Sequence, residues 1–177
     1  QDLNAKNLDM ILFGGDIFNE SSFEKAESKL MKDSVILLLK KTNKNKDDID
    51  LLVAGDLQNQ IAASNYMARD IDIPFLGIYN ACATSSEGLI VASTFIDSKK
   101  IKSSICSVSS HNNASEKQFR NPIEYGGPKP KTSTFTVTGA VSVLLSNKKS
   151  KVKIESSTIG RVCDMGVKDV NHMGAVM

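Results

Sequence analysis

The stretch that most constrains this chain runs from residue 74 to residue 96. An apolar run, Pro74-Phe75-Leu76-Gly77-Ile78-Tyr79, leads into Asn80-Ala81-Cys82-Ala83-Thr84-Ser85, and a helix-like run follows from Ser85 to about Ile96. Passing from strand through a tight turn to helix puts the Cys82 sulfur where a helix N-terminus points its free amide N–H groups, a position that favours a thiolate or a bound anion. A small buried filler fits the same residues, since free cysteine is among the most buried residue types.

The segments around this unit keep its rhythm. Ser21 and Ser22 precede a long amphipathic pattern in which Ala26, Leu30, Ile36, Leu37 and positions beside Leu39 line one side, while Glu24, Lys25, Lys29 and Lys32 face away. Acid comes early and Lys40-Lys41 late, as the helix dipole prefers. Ile49-Asp50-Leu51-Leu52-Val53-Ala54-Gly55 reads as a strand ending at a glycine, a helix follows near residues 60–69, and Asp72-Ile73-Pro74 breaks it. After the Cys82 helix, Ile105-Cys106-Ser107-Val108 is another strand. Strand, helix, strand, helix, strand predicts parallel pairing with right-handed crossovers, hence an α/β sheet covered on both faces. Residues 1–18 read as an irregular lead-in and 109–131 as a long functional loop; residues 135–146 and 152–159 read as β structure, the second pairing antiparallel after a polar turn.

With 177 residues, 41% hydrophobic and 24% charged, the chain is one globular unit or one half of a larger one. Cys82, Cys106 and Cys163 are odd in number and widely spaced, which fits neither a disulfide framework nor a zinc pattern and predicts a reducing compartment. No run approaches the length of a membrane span, and the first residues lack the order of a signal peptide. Residues 97–131 carry 7 basic and 3 acidic side chains, against 9 and 14 in residues 1–96. A basic middle suits a small anionic ligand better than a duplex, so nucleic acid is not an expected partner.

Three groups of residues carry candidate chemistry. Cys82 as a nucleophile needs a base, and the histidines are His111, just after a predicted strand, and His172. Lys117, Arg120, Lys129 and Lys131 surround the central loop and suit carboxylates, although a solvated basic surface has the same composition. Thr136-Val137-Thr138-Gly139-Ala140 offers hydroxyls and a glycine through which backbone can approach a ligand; an ordinary strand bend does so equally.

Considered as a set, Leu52-Val53-Ala54-Gly55-Asp56-Leu57-Gln58-Asn59-Gln60, Ile73-Pro74-Phe75, Ala81-Cys82-Ala83-Thr84-Ser85, Ser109-Ser110-His111-Asn112, Glu116-Lys117-Gln118-Phe119-Arg120, Glu124-Tyr125-Gly126-Gly127 and Thr136-Val137-Thr138-Gly139 resemble the stage V sporulation protein AD (SpoVAD) family. Order and spacing match from about Phe18 to Met177. The resemblance implies a thiolase-like fold, in which two similar α/β halves pack into an αβαβα layered core; residues 1–177 correspond to the N-terminal half-domain, with the second half absent. It places Cys82 at the nucleophile-like position but implies binding rather than acyl transfer. The ligand that the resemblance implies is dipicolinic acid, alone or with calcium, bound during its uptake into the developing spore by the SpoVA complex. The implied site is Cys82, Ala83 and Thr84, with His111, Lys117 and Arg120 as further anion contacts. No cofactor and no protein-held metal are implied, calcium arriving with the ligand. The other SpoVA membrane proteins are the implied partners, and the location is peripheral at the forespore inner membrane. Apolar surface meant for the second half would favour a homodimer. Asn80 stands where thiolase-fold relatives commonly carry glycine and is expected to narrow the way to Cys82. Two alternatives remain open: a thiolase or ketoacyl-synthase-like enzyme with a thioester on Cys82, and a scaffold for membrane partners that binds no ligand.

Overall fold

The structure, a computed structural model, describes residues 8–12, 17–119 and 136–168. Its elements in chain order are β1 (Leu8–Leu12), α1 (Phe23–Thr42), β2 (Leu51–Asp56), α2 (Ala62–Ile71), β3 (Phe75–Gly77), α3 (Thr84–Asp97), β4 (Ser103–Ser110), α4 (Asn112–Phe119) and β5 (Gly139–Ser146). The five strands form one sheet in the order β1-β5-β4-β2-β3. β3, β2 and β4 are parallel, and β5 runs antiparallel to both β4 and β1.

Helix α1 begins where Ser22 accepts a hydrogen bond from the Lys25 N–H at 3.2 Å, and it ends at Asn43 in the left-handed conformation (φ 52°). Asparagine tolerates that conformation better than most residues. Its buried stripe is Ala26, Glu27, Leu30, Met31, Ser34, Val35 and Leu38, which corrects the expected use of Ile36 and Leu37: both are only half-buried. The apolar block 35–39 leaves the phase ambiguous, and the stripe that keeps the spacing of Ala26 and Leu30 is the one that meets the sheet.

Alternation along β2 and β4 divides the core. Leu52, Ala54 and Ile105 join α1 and α2 in one apolar cluster with Leu30, Met31, Leu38 and Met67; Val53 and Cys106 join α3 in another with Ile78 and Ala92. Strands buried on both faces read as continuous apolar runs, as 51–54 does. Two glycines make the second layer close. A Cβ on Gly88 of α3 would lie 2.5 Å from Cys106 Sγ, and one on Gly55 would lie 2.2 Å from the Ile78 carbonyl oxygen.

Three expectations are corrected. Residues 8–12 form an ordered strand in register with β5 (Met10 opposite Val141), so the lead-in is part of the sheet. The segment after His111 is helical from Asn112 to Phe119; its polar composition, opening on two asparagines, hides a helix whose Glu116 and Ala114 are buried. Residues 153–168 contain no strand, and β5 has no edge to offer one, because β1 and β4 occupy both sides. The apolar side chains there are correspondingly exposed, among them Ile159 and Val162. Among the described residues no helix is long and apolar enough to cross a membrane.

Candidate functional site

The parallel strands β2 and β4 end on the same side of the sheet, and β5 begins there, since Ser110 pairs with Gly139. Ligands of open α/β sheets gather at such carboxyl ends. A cavity of about 250 Å³ lies there. Its walls are Gly55, Asp56 and Leu57 from the end of β2, Val108, Ser109 and Ser110 from β4, Val137, Gly139, Ala140 and Val141 from the start of β5, and Ala81, Cys82, Thr84 and Ser85 from the turn into α3.

The turn that carries Cys82 is a single 3-10 turn, Ala81–Ala83, running directly into α3. Thr84 holds it shut: its Oγ1 donates to the Ala81 carbonyl at 2.8 Å and accepts from the Asn80 N–H at 3.0 Å. Ala81 stands at φ 44°, where a side chain is disfavoured, and the Thr84 bonds on either side over-determine the turn. Gly55 completes the clamp, since its missing Cβ leaves room for the Thr84 methyl carbon, 2.6 Å from where that Cβ would sit. Cys82 is left exposed at the cavity, whereas Cys106, its neighbour in the sheet layer, is buried, with its thiol pushed up to about 12 by burial. Of these two sulfurs Cys106 is inert and Cys82 is accessible; Cys163, far along the chain, is exposed as well.

Behind the cavity lies a buried polar cluster. Asp56, 1% exposed, accepts from the Gln58 N–H at 2.9 Å on one oxygen and from the Ser64 N–H and hydroxyl at 2.7 and 2.6 Å on the other. Glu27, fully buried on α1, accepts from Gln58 Nε2 at 2.8 Å and from the Ser109 hydroxyl at 2.9 Å. Burial, partly offset by these hydrogen bonds and reinforced by the nearby Asp56 charge, raises its carboxyl to about 7.

Among the expected site residues, Cys82 and Thr84 meet at the cavity, with Thr84 spending its hydroxyl on the turn. Ala83 is exposed next to them and is not a wall residue. His111 is fully buried, its ring 5.1 Å from that of Phe23, and it stands behind the wall rather than in it. The Lys117 side chain, Arg120, Lys129, Lys131 and His172 lie outside the described residues. Asn80 is exposed and is not among the residues that line the cavity. Of the basic middle segment, the described lysines Lys99, Lys100 and Lys102 precede β4, at the opposite end of an eight-residue strand. Among the described residues no lysine, arginine or histidine lines the cavity, and no group of three or more His, Cys, Asp or Glu is arranged to hold a metal ion.

Asp56 and Glu27 are the residues that the sequence reading missed. Asp56 is the acid directly after a strand-ending glycine, and Glu27 shares the spacing of Ala26, Leu30 and Met31 on the buried side of a helix. An acid in phase with an apolar stripe is the signal.

Comparison with known proteins agrees with this geometry. Solved structures of condensing enzymes share the fold: 3-oxoacyl-[acyl-carrier-protein] synthase III from Aquifex aeolicus (TM-score 0.56, 17% identity, 76% of this chain and 42% of that one) and AbyA1, a tetronic acid condensing enzyme (TM-score 0.53, 12% identity, 70% and 36%). A variant of Xanthomonas campestris OleA also matches, with TM-score 0.53 and 12% identity over 68% of this chain and 39% of that one. The fold is therefore thiolase-like. The stage V sporulation protein AD of Bacillus subtilis is 48% identical over 159 residues, 90% of this chain and 47% of that protein, so the chain spans about half the length of that relative. The model of the same family matches residues 3–177, which takes in β1 and every wall of the cavity, and the chain belongs to the stage V sporulation protein AD (SpoVAD) family.

Proposed function

We propose that the cavity beside Cys82 is part of a binding site for dipicolinate, free or as its calcium complex, and that the intact protein serves the uptake of this ligand into the developing spore. In this reading it is a non-catalytic member of the SpoVA complex, peripheral at the forespore inner membrane and attached through the membrane proteins of that complex. The observation that carries the reading is the inventory of the wall. Asp56, Thr84, Ser109 and Ser110 spend their polar atoms on internal hydrogen bonds, while Cys82 and Ser85 make none to described residues on their side chains. These two flank the first amides of α3, which favour a carboxylate. Apolar Val108, Val137, Ala140 and Val141 offer faces for a flat ring.

Calorimetric titration of the full-length protein with dipicolinate, with and without calcium, tests this. Saturable binding that weakens about tenfold in Cys82→Ala or Ser85→Ala, the loss expected for one hydrogen bond to a charged group, supports it. No heat under any condition, or a covalent acyl adduct on Cys82 after incubation with an acyl thioester, overturns it.

A further inference from the structure

Glu27 belongs to α1, which packs on the sheet face opposite α3 and the Cys82 turn. Its carboxylate nevertheless reaches the ends of both strands that wall the cavity. Gln58, two residues past the end of β2, donates to it, and so do the Ser109 hydroxyl near the end of β4 and the backbone N–H of His111 just after it. Gln58 and Ser109 are also buried, at 5% and 8% exposure. Three donors converging on one buried acceptor favour the ionised carboxylate, which accepts from all of them without a proton of its own to place.

We infer that Glu27 is a positioning residue for the cavity: ionised, it ties the ends of β2 and β4 into the wall beside Cys82, and on taking up a proton it releases one of those ties. The consequence for dipicolinate rests on the function proposed above; the coupling of Glu27 to the wall does not. The charged and titratable groups around it are few. From β2 the Asp56 carboxylate repels its charge, and from the β4 end His111 supplies an N–H while its ring stacks on Phe23 of α1. The α2 side presents Ser64, bonded to Asp56, and α1 itself presents Met31, whose sulfur lies 3.6 Å from the Ser64 and Ser109 hydroxyl oxygens. Glu116 of α4, the other buried glutamate, accepts from Thr136 at 2.8 Å. A carboxyl raised to about 7 changes charge in the range where a cell can use it.

The test is made on the full-length protein by following backbone amide resonances of residues 55–58 and 108–111 from pH 5 to 9, alongside dipicolinate titrations at pH 6 and pH 8. In the wild type the amides shift together with one midpoint near neutrality, and dipicolinate binds about fivefold more weakly at pH 6, the loss expected for one hydrogen bond. In Glu27→Gln the midpoint is absent and affinity is low and equal at both pH values. Ser109→Ala, which removes one donor and leaves the helix intact, moves the midpoint upward and keeps the inference testable if the glutamine variant does not fold. The same midpoint persisting in Glu27→Gln, or amide shifts confined to α1, overturns it. A wild type that binds no dipicolinate at any pH overturns the proposed function instead, and the amide shifts still decide the role of Glu27.

Discussion

The two ends of the sheet treat polar residues in opposite ways. Where β2 and β4 terminate, Asp56, Glu27, Gln58 and Ser109 are buried and bonded to one another around the cavity. At the other end, Lys99, Lys100, Lys102, Lys148, Lys149, Lys151 and Lys153 are exposed, and none of them forms an ion pair among the described residues. Its principal fastening is Asp50, which accepts from the Lys102 and Ser103 N–H groups at 2.8 and 3.0 Å. Strand geometry is the same at both ends, so the difference lies in solvent. A polar group without water must find a protein partner, and groups so paired specify one arrangement; a solvated lysine specifies almost nothing.

Substitutions at the two ends therefore differ steeply in effect. The largest falls on Gly55, where any Cβ overlaps the Ile78 carbonyl: Gly55→Val costs more than about 3 kcal/mol and yields no folded protein by circular dichroism. Asp56→Ala follows, leaving the Gln58 and Ser64 N–H groups buried without acceptors, at about 2 to 4 kcal/mol in a urea titration.

Third is a pH effect whose sign separates the ends. The Glu27 carboxyl ionises near 4.5 when unfolded and near 7 when folded, so its contribution is full below pH 4.5 and is lost as pH rises through 7. That change is on the order of 3 kcal/mol and disappears in Glu27→Gln. Asp50 acts the other way: backbone N–H groups hold its carboxyl below 3.8, so its contribution is present above that pH and is lost as pH falls further. Being exposed, it contributes little, and Asp50→Ala costs about 1 kcal/mol or less by thermal unfolding. Smallest of all is replacement of Lys99, Lys100 and Lys148 by glutamine, each within about 0.5 kcal/mol.

How much of this was open to a reader of the sequence follows the same division. The strand, turn and helix around Cys82 were readable because local chemistry decides them: Pro74 ends one element, a continuous apolar run closed by Gly55 marks β2, and Ser22 and Lys40-Lys41 bracket α1. For residues 136–140 the sequence leaves a ligand-side strand and an ordinary strand bend equally open; Val137, Gly139 and Ala140 line the cavity, and Thr136 and Thr138 do not. What local chemistry does not decide was missed. β1 depends on a partner more than a hundred residues away, and α4 is a polar stretch made helical by tertiary contacts such as the bond from Thr136 to Glu116. The site was half visible. Cys82 announces itself by position, whereas Glu27 and Asp56 act through hydrogen bonds to segments 31 and 8 residues distant.

The position of β5 in the sheet has a consequence for the order in which the chain is made. β5 follows the other four described strands in the sequence, yet it sits between β4 and β1, inside the sheet. Until residues 139–146 leave the ribosome, β4 presents an open edge and β1 has nothing to pair with. Some thirty residues, 111–138, must be synthesised after β4 before that edge is closed. At a synthesis rate of about 5 to 20 residues per second the edge stays open for seconds, long enough for another chain to pair with it. The nascent chain is thus most exposed to mispairing after its parallel core is built and before its sheet is finished.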